Sequence, residues 1–118
     1  MNIEELRAYC LSLKEATEDM PFDGIIVFRV FNKWFAVIDL NDHELKISVK
    51  CDADKAIELR ERYQSVKPAW HFNKKYWNCI ILNYDMDDET VKYWIGHSLE
   101  EVVKKLPQKT QSEYFNKS

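Results

Sequence analysis

The sequence predicts a single α+β domain of two layers, in which a five-stranded, mainly antiparallel sheet packs against helices. Three observations carry this expectation. Apolar residues recur first at helical spacing, then in alternating β-branched and aromatic runs, then at helical spacing again. The gaps between most of the β runs are hairpin-short, which only antiparallel neighbours allow. The chain has 118 residues, 46% of them hydrophobic, enough for one core without disulfide or metal staples.

Each element follows in order. Asn2 is placed to cap a first helix, with Glu5 completing a capping box. Ile3, Leu6, Cys10 and Leu13 supply its apolar stripe. Residues 15–24 read as an acidic connector containing Pro21. The period then changes. Residues 25–31 and 34–40 are β-branched and aromatic runs, predicted to form a hairpin about an Asn32-Lys33 turn. After a turn at Asn41-Asp42-His43, Leu45, Ile47, Val49 and Cys51 alternate with Lys46, Ser48 and Lys50. That pattern gives a strand with one face on the core and one in water.

Asp52 is the expected N-cap of a second helix running to about residue 63, with Ala56, Leu59 and Tyr63 inward. Residues 66–70 and 77–82 form a further strand pair, joined by 71–76, with Pro68 suited to an edge. Asp87 or Asp88 opens a third helix through Val91, Trp94 and Ile95. Gly96 interrupts it, and Ser98 with Glu101 restarts a fourth helix that Pro107 ends. The predicted order is α-β-β-β-α-β-β-α-α. Residues 1–107 form the domain, and 108–118 are a polar tail expected to fray.

Several function classes are disfavoured. Cys10, Cys51 and Cys79 form an odd set without CxxC spacing, which argues against a disulfide framework or a zinc site. His43, His71 and His97 lack ligand spacing, so no metal and no cofactor are expected. No signal peptide or membrane-length apolar run is seen, and the expected location is the cytoplasm. Nucleophile elbows, Walker loops and dinucleotide fingerprints are missing, so no catalytic role is expected. Asp87 and Asp88 suit a helix N-terminus better than a carboxylate site.

Four segments together resemble the MmcQ/YjbR family of small bacterial proteins. They are LSLKEATEDMPF at 11–22, VKCD at 49–52, VKPAWHFNK at 66–74 with Trp77 following, and His97-Ser98 with VVKKLP at 102–107. The resemblance implies a secretion-chaperone-like α/β fold with an antiparallel sheet. It also implies DNA binding through a "double wing" motif. Where the family often carries Pro-Gly, this chain has Lys14-Glu15 and Pro68-Ala69.

The chemistry-bearing stretch is residues 67–77, KPAWHFNKKYW. Between Arg60 and Cys79 there are five Lys or Arg and one acid, Glu61, in a chain whose net charge is -3. Charge is therefore segregated along the chain. Cations interleaved with rings suit nucleic acid, since ammonium groups track phosphates and rings stack on bases. The candidate nucleic-acid-binding residues are Lys50, Lys67, Trp70, His71, Asn73, Lys74, Lys75 and Trp77. Trp70, Phe72 and Trp77 could instead fill a hairpin core, and Lys74-Lys75 could be a solvated turn. Glu18 and His71 are candidate pocket residues. The alternative partner is another protein, on an exposed sheet face or aromatic patch; no membrane partner is expected.

Overall fold

Asn2 does cap the first helix, in the computed structural model that describes residues 1–116. Its side chain accepts the Glu5 N–H at 2.8 Å, and Glu5 returns the bond to the Asn2 N–H at 3.0 Å. The elements that follow are α1 (Ile3–Ser12), β1 (Ala16–Phe22), β2 (Ile25–Val30), β3 (Lys33–Asp39), β4 (Lys46–Lys50), α2 (Ala53–Arg62), β5 (Val66–Pro68), β6 (Trp77–Ile81), α3 (Asp88–Val103) and α4 (Gln108–Asn116). All strand pairs are antiparallel, in the order β1-β2-β3-β4-β6-β5. The crossover through α2 brings β6 beside β4 and leaves β5, with Pro68, at the edge.

The α+β class holds, but the sheet has six strands where five were expected. The sixth is β1, in the segment read as an acidic connector. It pairs with β2 from Ala16↔Val30 to Phe22↔Ile25. An edge strand exposed along most of its length has no apolar alternation to detect. Its charges and Pro21 are features that discourage further strands from adding.

The β2–β3 turn falls one residue earlier than expected. Val30 pairs with Lys33, and the turn is Phe31-Asn32, with φ of 48° and 66°. Positive φ at both central positions is the type I′ geometry whose twist suits a hairpin. Phe31 adopts it with its ring edge-on to Tyr114 at 6.1 Å. Glu15, where the family motif often has glycine, also takes a left-handed φ of 65°.

The expected break at Gly96 does not occur, and α3 is one continuous helix of 16 residues. A single helical glycine lowers stability by only about 1 kcal/mol, which tertiary packing overrides. Ser98 is accordingly no N-cap. It is fully buried in mid-helix, donating to the Phe35 carbonyl at 2.6 Å and accepting the Lys50 N–H at 2.8 Å. The segment expected to fray is helical as α4; residues 117–118 lie outside the described residues. Tyr114 docks α4 on Phe31, and Gln111 donates to the Lys104 and Leu106 carbonyls.

One core lies between the sheet and helices α1, α2 and α3. It is mostly aliphatic. Among the described residues Phe28 and Phe35 are the only fully buried aromatic ones, and all four tryptophans remain half-buried or exposed. Burial pushes the thiols of Cys10 and Cys51 up to about 12, so both behave as small core residues. None of the described helices is long and apolar enough to cross a membrane.

Candidate nucleic-acid interface

Strand register sorts the side chains of the sheet. In β4, Ile47 and Val49 enter the core, so Lys46, Ser48 and Lys50 point to the opposite face. Directly opposed residues share a face, and Lys50 pairs with Trp77, Ser48 with Cys79 and Cys79 with Lys67. Lys50, Lys67 and Trp77 thus project from the outer face, away from α1–α3. Trp34 lies on that face too, opposite Arg29, whose guanidinium sits 5.5 Å from its ring.

The β5–β6 connection, residues 69–76, folds back over this face. Phe72 stacks on Trp77 with centroids 4.6 Å apart and planes 21° apart, and meets Trp34 edge-on at 6.2 Å. Trp77 and Phe72 are therefore half-buried in an outer-face aromatic cluster rather than in the main core. Trp70 belongs to neither. It is 71% exposed, with the Lys74 ammonium 3.9 Å from its ring centroid.

The loop is held by identifiable bonds. The Ala69 N–H donates to the Trp77 carbonyl at 3.1 Å, and the Phe72 N–H to the Ala69 carbonyl at 3.1 Å. Asn73 takes the Tyr76 N–H on its carbonyl at 3.0 Å and the Lys75 N–H on its side-chain oxygen at 3.1 Å. That gives Asn73 a turn-forming role. The Cys51 N–H reaches the Tyr76 carbonyl at 2.7 Å, tying the loop to the end of β4. Arg60 of α2 donates to the Lys74 carbonyl and, at 2.6 Å, to Asn78 Oδ1. Asn78 is itself buried and donates to the Ala56 carbonyl at 3.2 Å.

Lys67, His71, Lys74 and Lys75 are exposed and Lys50 is half-exposed. Among the described residues, none of Lys50, Lys67, Lys74 and Lys75 forms an ion pair. Three cations elsewhere are matched: Lys46 by Asp42 at 3.2 Å, Arg29 by Asp19 at 2.8 Å and Arg7 by Glu18 at 2.7 Å. The Arg29 hydrogen bond holds Asp19 below the usual carboxylate range.

The two candidate pocket residues, Glu18 and His71, lie at opposite edges of the sheet. Glu18 is on β1 at one edge of the sheet, bound through both oxygens to Arg7 of α1. His71 is beside β5 and β6 at the other edge. No group of three or more potential metal-ligating side chains occurs among the described residues. Sequence reasoning missed Trp34 and Arg60. The position of Trp34 in its strand could have indicated the outer face, whereas the loop-pinning bonds of Arg60 join residues that only the folded chain brings together.

The fold and site define a two-layer α+β protein in which α1, α2 and α3 cover one sheet face and an aromatic, cationic loop partly covers the other. The chain belongs to the YjbR family, whose model matches residues 11–101. It is 27% identical to the YjbR protein of Escherichia coli K12 over 109 residues, 92% of either chain. It is 29% identical over 89 residues to YbdF of Escherichia coli O157:H7, spanning 72% of this chain and 70% of that one. The crystal structure of Deinococcus radiodurans protein DR2400, assigned a DUF419 domain, superposes with a TM-score of 0.88 at 30% identity, covering 97% of this chain and 88% of that chain. A Pseudomonas syringae protein shares the fold, with a TM-score of 0.73 at 23% identity over 86% of this chain and 98% of its own.

Proposed function

We propose that this YjbR-family chain is a small DNA-binding module that uses the 69–76 loop and the adjoining outer sheet face, and that it binds without catalysing a reaction. One observation carries the reading: a largely exposed tryptophan is presented by a well-bonded loop with the Lys74 ammonium 3.9 Å from its ring, on a face where Lys50, Lys67, Lys74 and Lys75 form no ion pair among the described residues. Free cations beside an exposed ring match the two demands of a nucleic acid, phosphate neutralisation and base contact. The overall charge of -3 does not oppose this, because screening limits each phosphate to charges within roughly 8 Å at physiological salt.

The test is the double substitution Lys74→Glu with Lys75→Glu, measured by fluorescence anisotropy on labelled DNA at about 50 mM salt. Binding is expected to be abolished with the circular dichroism spectrum unchanged. Equal affinity for the wild-type and doubly substituted proteins would remove the loop from the site.

A protein-interaction role is favoured by a different observation. Met20 and Phe22 of the free edge strand β1, and Leu40 just past the end of β3, are about half or more exposed on either side of the start of β2. Sedimentation showing a dimer that Phe22→Asp dissolves would support that role.

A further inference from the structure

We infer that the nucleic acid taken by the 69–76 loop is a single strand, with an unpaired base stacked on Trp70 and the neighbouring phosphates held by Lys74 and Lys67. This rests on the nucleic-acid reading above and narrows it. The first argument is the indole itself. The Lys74 ammonium sits 3.9 Å from the ring centroid, and with the residue 71% exposed most of the indole surface remains open to solvent. A base within a duplex is stacked on both sides by its neighbours, so only an unpaired or extruded base can stack on that surface. An ammonium already seated on the ring also places a phosphate partner beside any stacked base.

The second argument is rigidity. Bonds from Ala69, Phe72, Tyr76 and Cys51, with the Arg60 guanidinium on the Lys74 carbonyl, fix the loop before any ligand arrives. Preorganisation of this kind reduces the ordering penalty on binding. A flexible single strand then supplies most of the conformational adjustment.

The third argument is the extent and shape of the cationic surface. A duplex binder commonly engages roughly six to ten phosphates. Here the unpaired cations of the face and its loop are Lys50, Lys67, Lys74 and Lys75 among the described residues. The other outer-face cations, Lys46 of β4 and Arg29 of β2, are held by Asp42 and Asp19. Reading a duplex in its major groove takes a protruding helix or β-ribbon. Helices α1, α2 and α3 pack on the opposite face, and Phe72 draws the β5–β6 loop down onto the sheet. The result is a short cationic track with a stacking platform.

The test compares oligothymidylate and oligouridylate of about 12 nucleotides with a mixed-sequence duplex of similar length, using the full chain at about 50 mM salt. Both single strands should bind and quench indole fluorescence, with the duplex at least about tenfold weaker; a preference between the two strands would identify the sugar. Trp70→Ala should weaken single-strand binding by about 5- to 150-fold, and Trp70→Phe should retain most of it. Affinity should fall with salt with a logarithmic slope near −2 to −3, as about four phosphate contacts on a single strand require. Duplex binding as tight as single-strand binding, or an unchanged Trp70→Ala variant, overturns the inference; sensitivity to Lys74→Glu with Lys75→Glu would then leave the nucleic-acid reading standing. Absence of binding to all three probes would sink that reading itself.

Discussion

Ser98 and His97 occupy successive positions on α3; Ser98 bonds β3 and the end of β4, and His97 bonds the start of α2. The Ser98 hydroxyl accepts the Lys50 N–H and donates to the Phe35 carbonyl, so it satisfies one backbone group on each of two neighbouring strands. Replacing it by alanine leaves both groups without their partner in a region water does not reach. Ser98→Ala should therefore lower the unfolding free energy by about 1–3 kcal/mol, read from urea denaturation. His97 Nε2 accepts the Asp52 N–H at 3.2 Å, which requires a neutral ring. Burial holds its pKa below the ordinary histidine value; Lys55 and Lys104 act the same way, while Glu101 and Asp52 oppose them. The folded state thus resists protonation more than the unfolded chain. Its contribution to stability is complete above about pH 6.5, the unfolded value, and is lost as pH falls through the lower folded value. Comparing urea midpoints across that window, His97→Gln should lack this component of the acid-side decline. Neither bond was visible in the sequence, where Ser98 satisfied the helix-start pattern as well as any serine followed by glutamate.

At the scale of elements, local signals succeeded where one segment held its own evidence. The caps at Asn2, Asp52 and Asp87 are present because each side chain reaches an N–H three residues on. The alternation of Ile47 and Val49 with Lys46 and Lys50 gave the face assignment of β4 correctly. Failures came where neighbours outweighed propensity. β1 is a strand because β2 offers it a ladder, and α4 is a helix whose Tyr114 packs against Phe31. Gly96 was read as a break, yet α3 runs through it with buried residues on either side. Nothing lies within 4 Å of where a Cβ at Gly96 would sit, and its φ is not in the left-handed region. Gly96→Ala should accordingly stabilise the protein by about 0.5–1 kcal/mol, measured by thermal or urea unfolding.

For the molecule as a whole, the main asymmetry is between the two faces of the sheet. One buries an aliphatic core under three helices. The other carries the half-buried Trp34, Phe72 and Trp77, with Trp70 standing out from the loop above them. The chain is 14% aromatic, yet most of those rings lie outside the core. The charge segregation legible around residues 60–79 survives folding as a local surplus: among the described residues Lys67, Lys74 and Lys75 form no ion pair, nor does the neighbouring Lys50.

The sequence by itself determined the α+β class, the antiparallel pairing, the principal helix caps and the segment in which cations and rings are concentrated. These depend on periodicity and on bonds spanning three or four residues, both of which a linear reading contains. Only the tertiary structure decided that β1 joins the sheet, that α3 is unbroken, that Glu18 and His71 lie at opposite edges, and that Trp70 faces water while Phe72 and Trp77 support the loop. Those outcomes depend on which residues meet across long separations, where packing and hydrogen-bond satisfaction between elements outweigh local preference.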